Sequence, residues 1–124
     1  MTTTNLASAN TLGATFTTSA VDIPTTYYSD IAIAVTLDNG AGAAPADSPS
    51  GLFTLQVSLD GGTTYFDFVD LNAALANVSP AGNNAVINGL VVIRAVPGNK
   101  ARLKYTRTSG GATTTRCSVW LSAL

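Results

Sequence analysis

The segment Asp30-Ile-Ala-Ile-Ala-Val-Thr-Leu37 carries a large aliphatic side chain at every second position, Ile31, Ile33, Val35 and Leu37, with only Ala32, Ala34 and Thr36 between them. A period of two belongs to an extended strand with one buried face, and a helix does not produce it. The alternation recurs in residues 52–59, where Phe53, Leu55, Val57 and Leu59 oppose Thr54, Gln56 and Ser58. It recurs in residues 100–109, with Leu103 and Tyr105 against Arg102, Lys104 and Thr106. In residues 112–123 it sets Thr115, Cys117, Val119 and Leu121 against Arg116, Ser118 and Trp120. Gly, Pro, Asn or Asp bounds each stretch, as turns between strands require. One sheet cannot bury this many apolar faces. The expected fold is therefore all-β: an antiparallel two-sheet β-sandwich, jelly-roll-like, of about eight strands, with a closed barrel as its structural rival.

The remaining segments fit that frame less evenly. Residues 14–20 read as a first strand. Residues 63–69 return from a turn at Asp60-Gly61-Gly62, with Tyr65, Asp67 and Val69 on one face and Phe66 and Phe68 on the other. Residues 85–96 are too long for one flat strand, and Gly89 is expected to mark a bend or bulge. Residues 70–78 lose the alternation and are expected to form a turn or two of helix capped by Asp70. Residues 38–51 are a Gly/Ala/Pro-rich loop expected to project from one end. Residues 1–13, mostly Thr, Ser, Asn and Ala with a lone Leu6 and Leu12 among them, read as an extended N-terminal arm on a sandwich domain of residues 14–124. Deleting the arm is expected to leave the fold intact and weaken assembly. At 124 residues the chain is one domain, large enough to stand without metal or disulfide staples.

Composition narrows the chemistry. The chain has no histidine and no glutamate, which removes the commonest general base and the imidazole ligands of zinc and copper. Cys117 is the single cysteine, without a histidine to activate it, and reads as a small buried hydrophobe. Asp60, Asp67 and Asp70 lack the spacing of a calcium loop, and nothing distinguishes two of them as a glycosidase pair. No enzymatic activity, cofactor or metal is expected. A net charge of −1 gives no basic footprint for nucleic acid as the main partner. No apolar run reaches membrane-spanning or signal-peptide length, so neither membrane insertion nor export by a signal peptide is expected.

The sharpest motif is Ser58-Leu-Asp60-Gly-Gly62-Thr-Thr64-Tyr65. It resembles the Asp-box, S-x-D-x-G-x-T-aromatic, a hairpin of sialidase-like propellers and of many unrelated β proteins, with Tyr65 where Trp or Phe is usual. The resemblance implies a structural role: Asp60 accepts hydrogen bonds from turn amides, Gly62 allows the turn, and Tyr65 covers the hairpin base, flanked by Ser58 and Thr64.

The charges are segregated along the chain. All seven acids precede residue 71 and all six bases follow residue 93. Either late strands lie beside early ones and the charges meet inside the domain, or the domain has two complementary poles suited to association. Candidate interface residues are Leu6 and Leu12 on the arm and Arg102, Lys104, Arg107, Arg116 and Trp120 on the last two strands, where the bases form a stripe beside the indole. An exposed aromatic row containing Trp120 and Tyr65 would instead suit a sugar.

Taken together, residues 51–68, the run Lys100-Ala-Arg-Leu-Lys-Tyr-Thr-Arg-Thr-Ser-Gly-Gly and Ser118-Val-Trp-Leu-Ser resemble small β-sandwich virion proteins of tailed bacteriophages over about half the chain. The resemblance implies a non-enzymatic structural protein, above all a capsid decoration or cement protein that binds the head shell as a homo-oligomer, a trimer or ring. Its partners would be the major capsid protein or other virion proteins. Its place would be the virion, after synthesis in the host cytoplasm. A neck or tail adaptor fits the same resemblance, and a carbohydrate-binding module or adhesion domain on a virion is the alternative, with a glycan as partner.

Overall fold

The computed structural model describes residues 3–12, 15–23, 29–42, 50–71, 87–109 and 116–123. They form nine strands: β1 (Thr3–Thr11), β2 (Phe16–Thr17), β3 (Val21–Asp22), β4 (Ser29–Asp38), β5 (Ser50–Ser58), β6 (Tyr65–Asp70), β7 (Ile87–Val96), β8 (Lys100–Ser109) and β9 (Arg116–Ala123). The first sheet has the order β1-β9-β4-β7. The second has β2-β8-β5-β6, with β3 continuing beside β8. Every pairing is antiparallel. With β2 and β3 taken as one interrupted strand, the order is that of a jelly roll, a sandwich in which successive strands mostly alternate between sheets.

The core lies between the sheets. Ile31, Ile33, Val35 and Leu37 of β4 and Cys117, Val119 and Leu121 of β9 meet Phe53, Leu55 and Val57 of β5 and Ala101, Leu103 and Tyr105 of β8. These are the alternating positions of the four most periodic segments, so the period-two pattern becomes the buried face directly. Tyr105 is packed between Phe16 and Phe53, with ring centroids 5.6 and 5.2 Å away. Gly51 lies against the same ring, where a Cβ would come within 2.3 Å of it.

Three sequence-based expectations change. Residues 3–11 are not an arm outside the domain: they pair with β9 along its length, and Ala7 and Leu12 belong to the core. The strand carries two register shifts, one on each side of Ala7, which break the alternation that would have marked it. The side-chain amide of Asn5 bridges the first, donating to the carbonyls of Ala7 at 3.1 Å and Val119 at 3.4 Å. Second, Gly89 is not a bend. It sits opposite Val35 in a regular ladder running from Ile31/Ile93 to Leu37/Ile87. The irregularity falls instead at Ala95, which has φ of 55° and whose N–H donates to Asp30 Oδ1 at 3.0 Å while Arg94 pairs with Asp30 Oδ2 at 3.1 Å. Third, β6 slips by one residue between its pairings with Leu55 and Gln56. Phe68 therefore leaves the face of Phe66 and lines a depression with Leu52, Thr54 and Thr106.

The first strand read at residues 14–20 is reduced to β2, and β3 follows it at Val21–Asp22. Between them Thr18 keeps the ladder closed, its N–H donating to the Leu103 carbonyl at 2.9 Å and its Oγ1 accepting from the Leu103 N–H at 3.0 Å. Asp70 ends β6; Leu71 is buried, with its N–H on the Phe53 carbonyl at 2.8 Å. The helix expected beyond Asp70 falls on residues 72–78, outside the described residues, as do residues 43–49 of the expected projecting loop.

Candidate functional site

The hairpin between β5 and β6 is held by one carboxylate and one hydroxyl. Asp60 Oδ1 accepts from the Thr64 N–H at 2.8 Å, the Thr63 N–H at 3.1 Å and Ser58 Oγ at 2.7 Å. Ser58 Oγ in turn accepts from the Gly62 N–H at 2.8 Å. Gly61 and Gly62 have φ of 78° and 99°, the region where glycine avoids the clash other residues meet. The loop is docked on the β7–β8 turn. Gly61 N–H donates to Asn99 Oδ1 at 3.0 Å, and Asn99 N–H donates to the Ser58 carbonyl at 2.9 Å. Ser58, Asp60, Gly62 and Thr64 thus form one structural unit, and its chemistry is hydrogen bonding within the fold.

The Thr64 N–H, and after it the Ser58 hydroxyl, hold the Asp60 carboxyl at about 2, below its ordinary 3.8. A carboxylate depressed in the folded state stabilises the fold while ionised. That contribution is complete above the unfolded value and disappears as pH falls through the folded one. Between wild type and Asp60→Ala, the gap in melting temperature is expected to be widest at neutral pH and to narrow between about pH 4 and about pH 2. A gap that stays constant across that range contradicts the hydrogen-bonded role.

Tyr65 lies on the outer face of the second sheet. The Arg102 guanidinium sits 3.7 Å above its ring centroid, and Arg102 Nε donates to Gln56 Oε1 at 2.8 Å while Gln56 Nε2 donates to Asp67 Oδ1 at 2.7 Å. One face of the Tyr65 ring is therefore taken by the protein's own cation. Lys104 lies further along β8, lining the depression with Asp67, Phe68 and Asp70.

The outer face of the first sheet differs. One row crosses all four strands as Asn5, Trp120, Ala34 and Leu90, and the next contains Ser122, Ala32 and Val92. Leu90 is 73% exposed, Val92 43%, and Trp120 is half-buried. Charge is confined to the two ends of this face, with Asp38 opposite Arg116 at one and the Asp30–Arg94 ion pair at the other. Leu90 and Val92 were not among the sequence-derived candidates. Their signal is the alternation of residues 88–94 read against the register, which the run Leu-Val-Val-Ile conceals.

The other candidates separate. Arg102 and Lys104 lie on the second sheet, Arg116 and Trp120 on the first, so the basic stripe expected beside the indole is not formed. Arg107 ends the regular part of β8, its N–H on Thr15 Oγ1 at 3.0 Å. Leu12, 1% exposed, is a core residue and no contact for a neighbour. Leu6 is the extra residue at the first irregularity of β1. Trp120 and Tyr65, being in opposite sheets, do not make one aromatic row.

Three of the late bases meet early acids within the domain. Lys100 Nζ donates to Asp22 Oδ1 at 2.6 Å, Arg94 pairs with Asp30, and Arg102 reaches Asp67 through Gln56. Early acids and late bases come together because β7 pairs with β4 and β8 lies between β3 and β5.

Chemically reactive groups are not gathered at any of these surfaces. Cys117 is fully buried, and burial, followed by the nearby Asp38, pushes its thiol up to about 12. Among the described residues no group of three or more Cys, Asp, Glu or His is arranged to hold a metal ion, and no helix is long and apolar enough to cross a membrane. Neither a protein-family model nor a curated protein matches the sequence.

Proposed function

We propose that this chain is a non-enzymatic structural protein of a bacteriophage particle, a decoration or cement protein that binds the head shell through the outer face of its first sheet. The observation that carries the reading is the apolar centre of that face, Trp120, Ala34, Leu90 and Val92, with charges only at its rim. An apolar centre with a polar border is the anatomy of a protein–protein contact. Asp22, Asp30 and Asp67 are engaged within the domain by Lys100, Arg94 and, through Gln56, Arg102. A shell offers the same contact many times, so modest single contacts suffice for a chain that binds as a homo-oligomer. The glycan reading has less support, since Arg102 covers Tyr65 and Trp120 lies on the other sheet.

The test is co-sedimentation with heads of the encoding phage stripped of their decoration. Trp120→Lys places a charge at the centre of the face without touching the core. It is expected to abolish binding while leaving the melting temperature within about 2 °C, as suits a surface change. Binding equal to that of wild type contradicts the assignment of this face.

A further inference from the structure

A free sheet edge offers a row of unpaired N–H and C=O groups, and natural proteins block such edges with short strands, bulges and charges. The two sheets have four edges, and three are blocked in these ways. β1 is bulged twice. β6 has six residues, a slip in register, and Asp67 and Asp70. β2 and β3 have two residues each. β7 is different: it has ten residues, and from Ile87 to Ile93 it pairs with β4 in unbroken register. That stretch, Ile-Asn-Gly-Leu-Val-Val-Ile, contains no charge and no proline. No described strand pairs with its other side.

We propose that β7 pairs antiparallel with β7 of a second copy of this chain about a two-fold axis, joining two four-stranded sheets into one of eight. The second copy is the occupant because the edge is its own complement. With the axis at Val91, Leu90 falls opposite the partner's Val92 and Val92 opposite the partner's Leu90, so the two apolar strips become continuous. The seam from residue 88 to 94, about 24 Å long at the strand rise, sets no like charges against each other. Arg94 falls opposite the partner's Asn88 and keeps its own Asp30. The bulge at Ala95, held by Asp30, ends the regular edge there and so limits the register. Two-fold pairing consumes the one open edge among the described strands and closes, which prevents a fibre. The pairing does not rest on the head-binding reading, whose contact is centred on Trp120.

Sedimentation equilibrium of the full chain over micromolar concentrations tests the proposal. Wild type is expected to pass from 12.6 kDa to twice that mass. Leu90→Lys/Val92→Lys sets lysines opposite lysines across the seam, and Leu90→Asp/Val92→Asp sets acids opposite acids. Each double variant is expected to stay monomeric, and an equimolar mixture of the two is expected to recover the dimer. Amide exchange in β7 of the wild type is expected to slow as concentration rises, a readout that needs no variant. A wild type that is monomeric throughout, or trimeric, overturns the proposal. So does a double-lysine variant that dimerises like wild type, or a mixture that fails to dimerise.

Discussion

Leu12→Ala is expected to cost about 3 kcal/mol of folding stability, in the range for truncating a buried leucine. Leu12 follows directly on β1 and is 1% exposed within the core cluster, so its loss leaves a cavity and loosens the strand it anchors. Urea denaturation measures the effect as a lower midpoint at unchanged slope. A loss under about 1 kcal/mol, typical of exposed sites, would show that the N-terminal segment is an appendage after all. Removing residues 2–12 altogether takes away Leu12, Ala7 and one of the two partners of β9. It is expected to prevent stable folding, the opposite of what an arm would allow.

Gly98→Ala is expected to cost a similar amount, about 3 kcal/mol, from two sources. Gly98 has φ of 98°, and an L-residue held in left-handed backbone costs roughly 1–2 kcal/mol. A Cβ there would also stand 2.6 Å from the Ser58 carbonyl oxygen, a backbone atom that accepts from Asn99 N–H and cannot swing aside. The turn would lift off the hairpin and release the Asn99 contact to Gly61. Gly42→Ala is the control, since Gly42 has φ of 81° but an added Cβ meets nothing within 4 Å. It carries the backbone cost alone. Equal losses in the two variants would show that the docking of the β7–β8 turn on the hairpin contributes nothing.

The parts of the fold legible in the sequence are those where one face of a strand is wholly buried. β4, β5, β8 and β9 have partners on both sides, and each announces its core face by alternation. β1 is illegible for the converse reason. It is an edge strand of mostly small residues whose two register shifts change the face it buries, and the buried Leu12 follows directly after it. The slip in β6 had the same effect on Phe68. The break at Ala95 gave no signal because alanine rarely takes a positive φ, and the aspartate that holds it is 65 positions away in the chain.

The candidate surfaces were legible to different degrees. The hairpin unit is local, so its spacing alone placed Ser58, Asp60, Gly62 and Thr64, but not the docking of Asn99 from another strand pair. The apolar outer face is non-local, assembled row by row from β1, β9, β4 and β7. Only Trp120 stood out beforehand. Leu90 and Val92 became visible once register separated them from the inward-facing Val91 and Ile93, which pack against the core. The supposed basic stripe failed because adjacency in sequence, β8 before β9, is not adjacency in a sandwich whose successive strands change sheets.

The central claim is attachment to a head shell, and the most direct measurement is the binding isotherm of the wild-type protein on purified, decoration-stripped heads. The expected result is saturable binding at a fixed number of copies per head set by the symmetry of the shell. Heads that sediment without the protein at every concentration would contradict it.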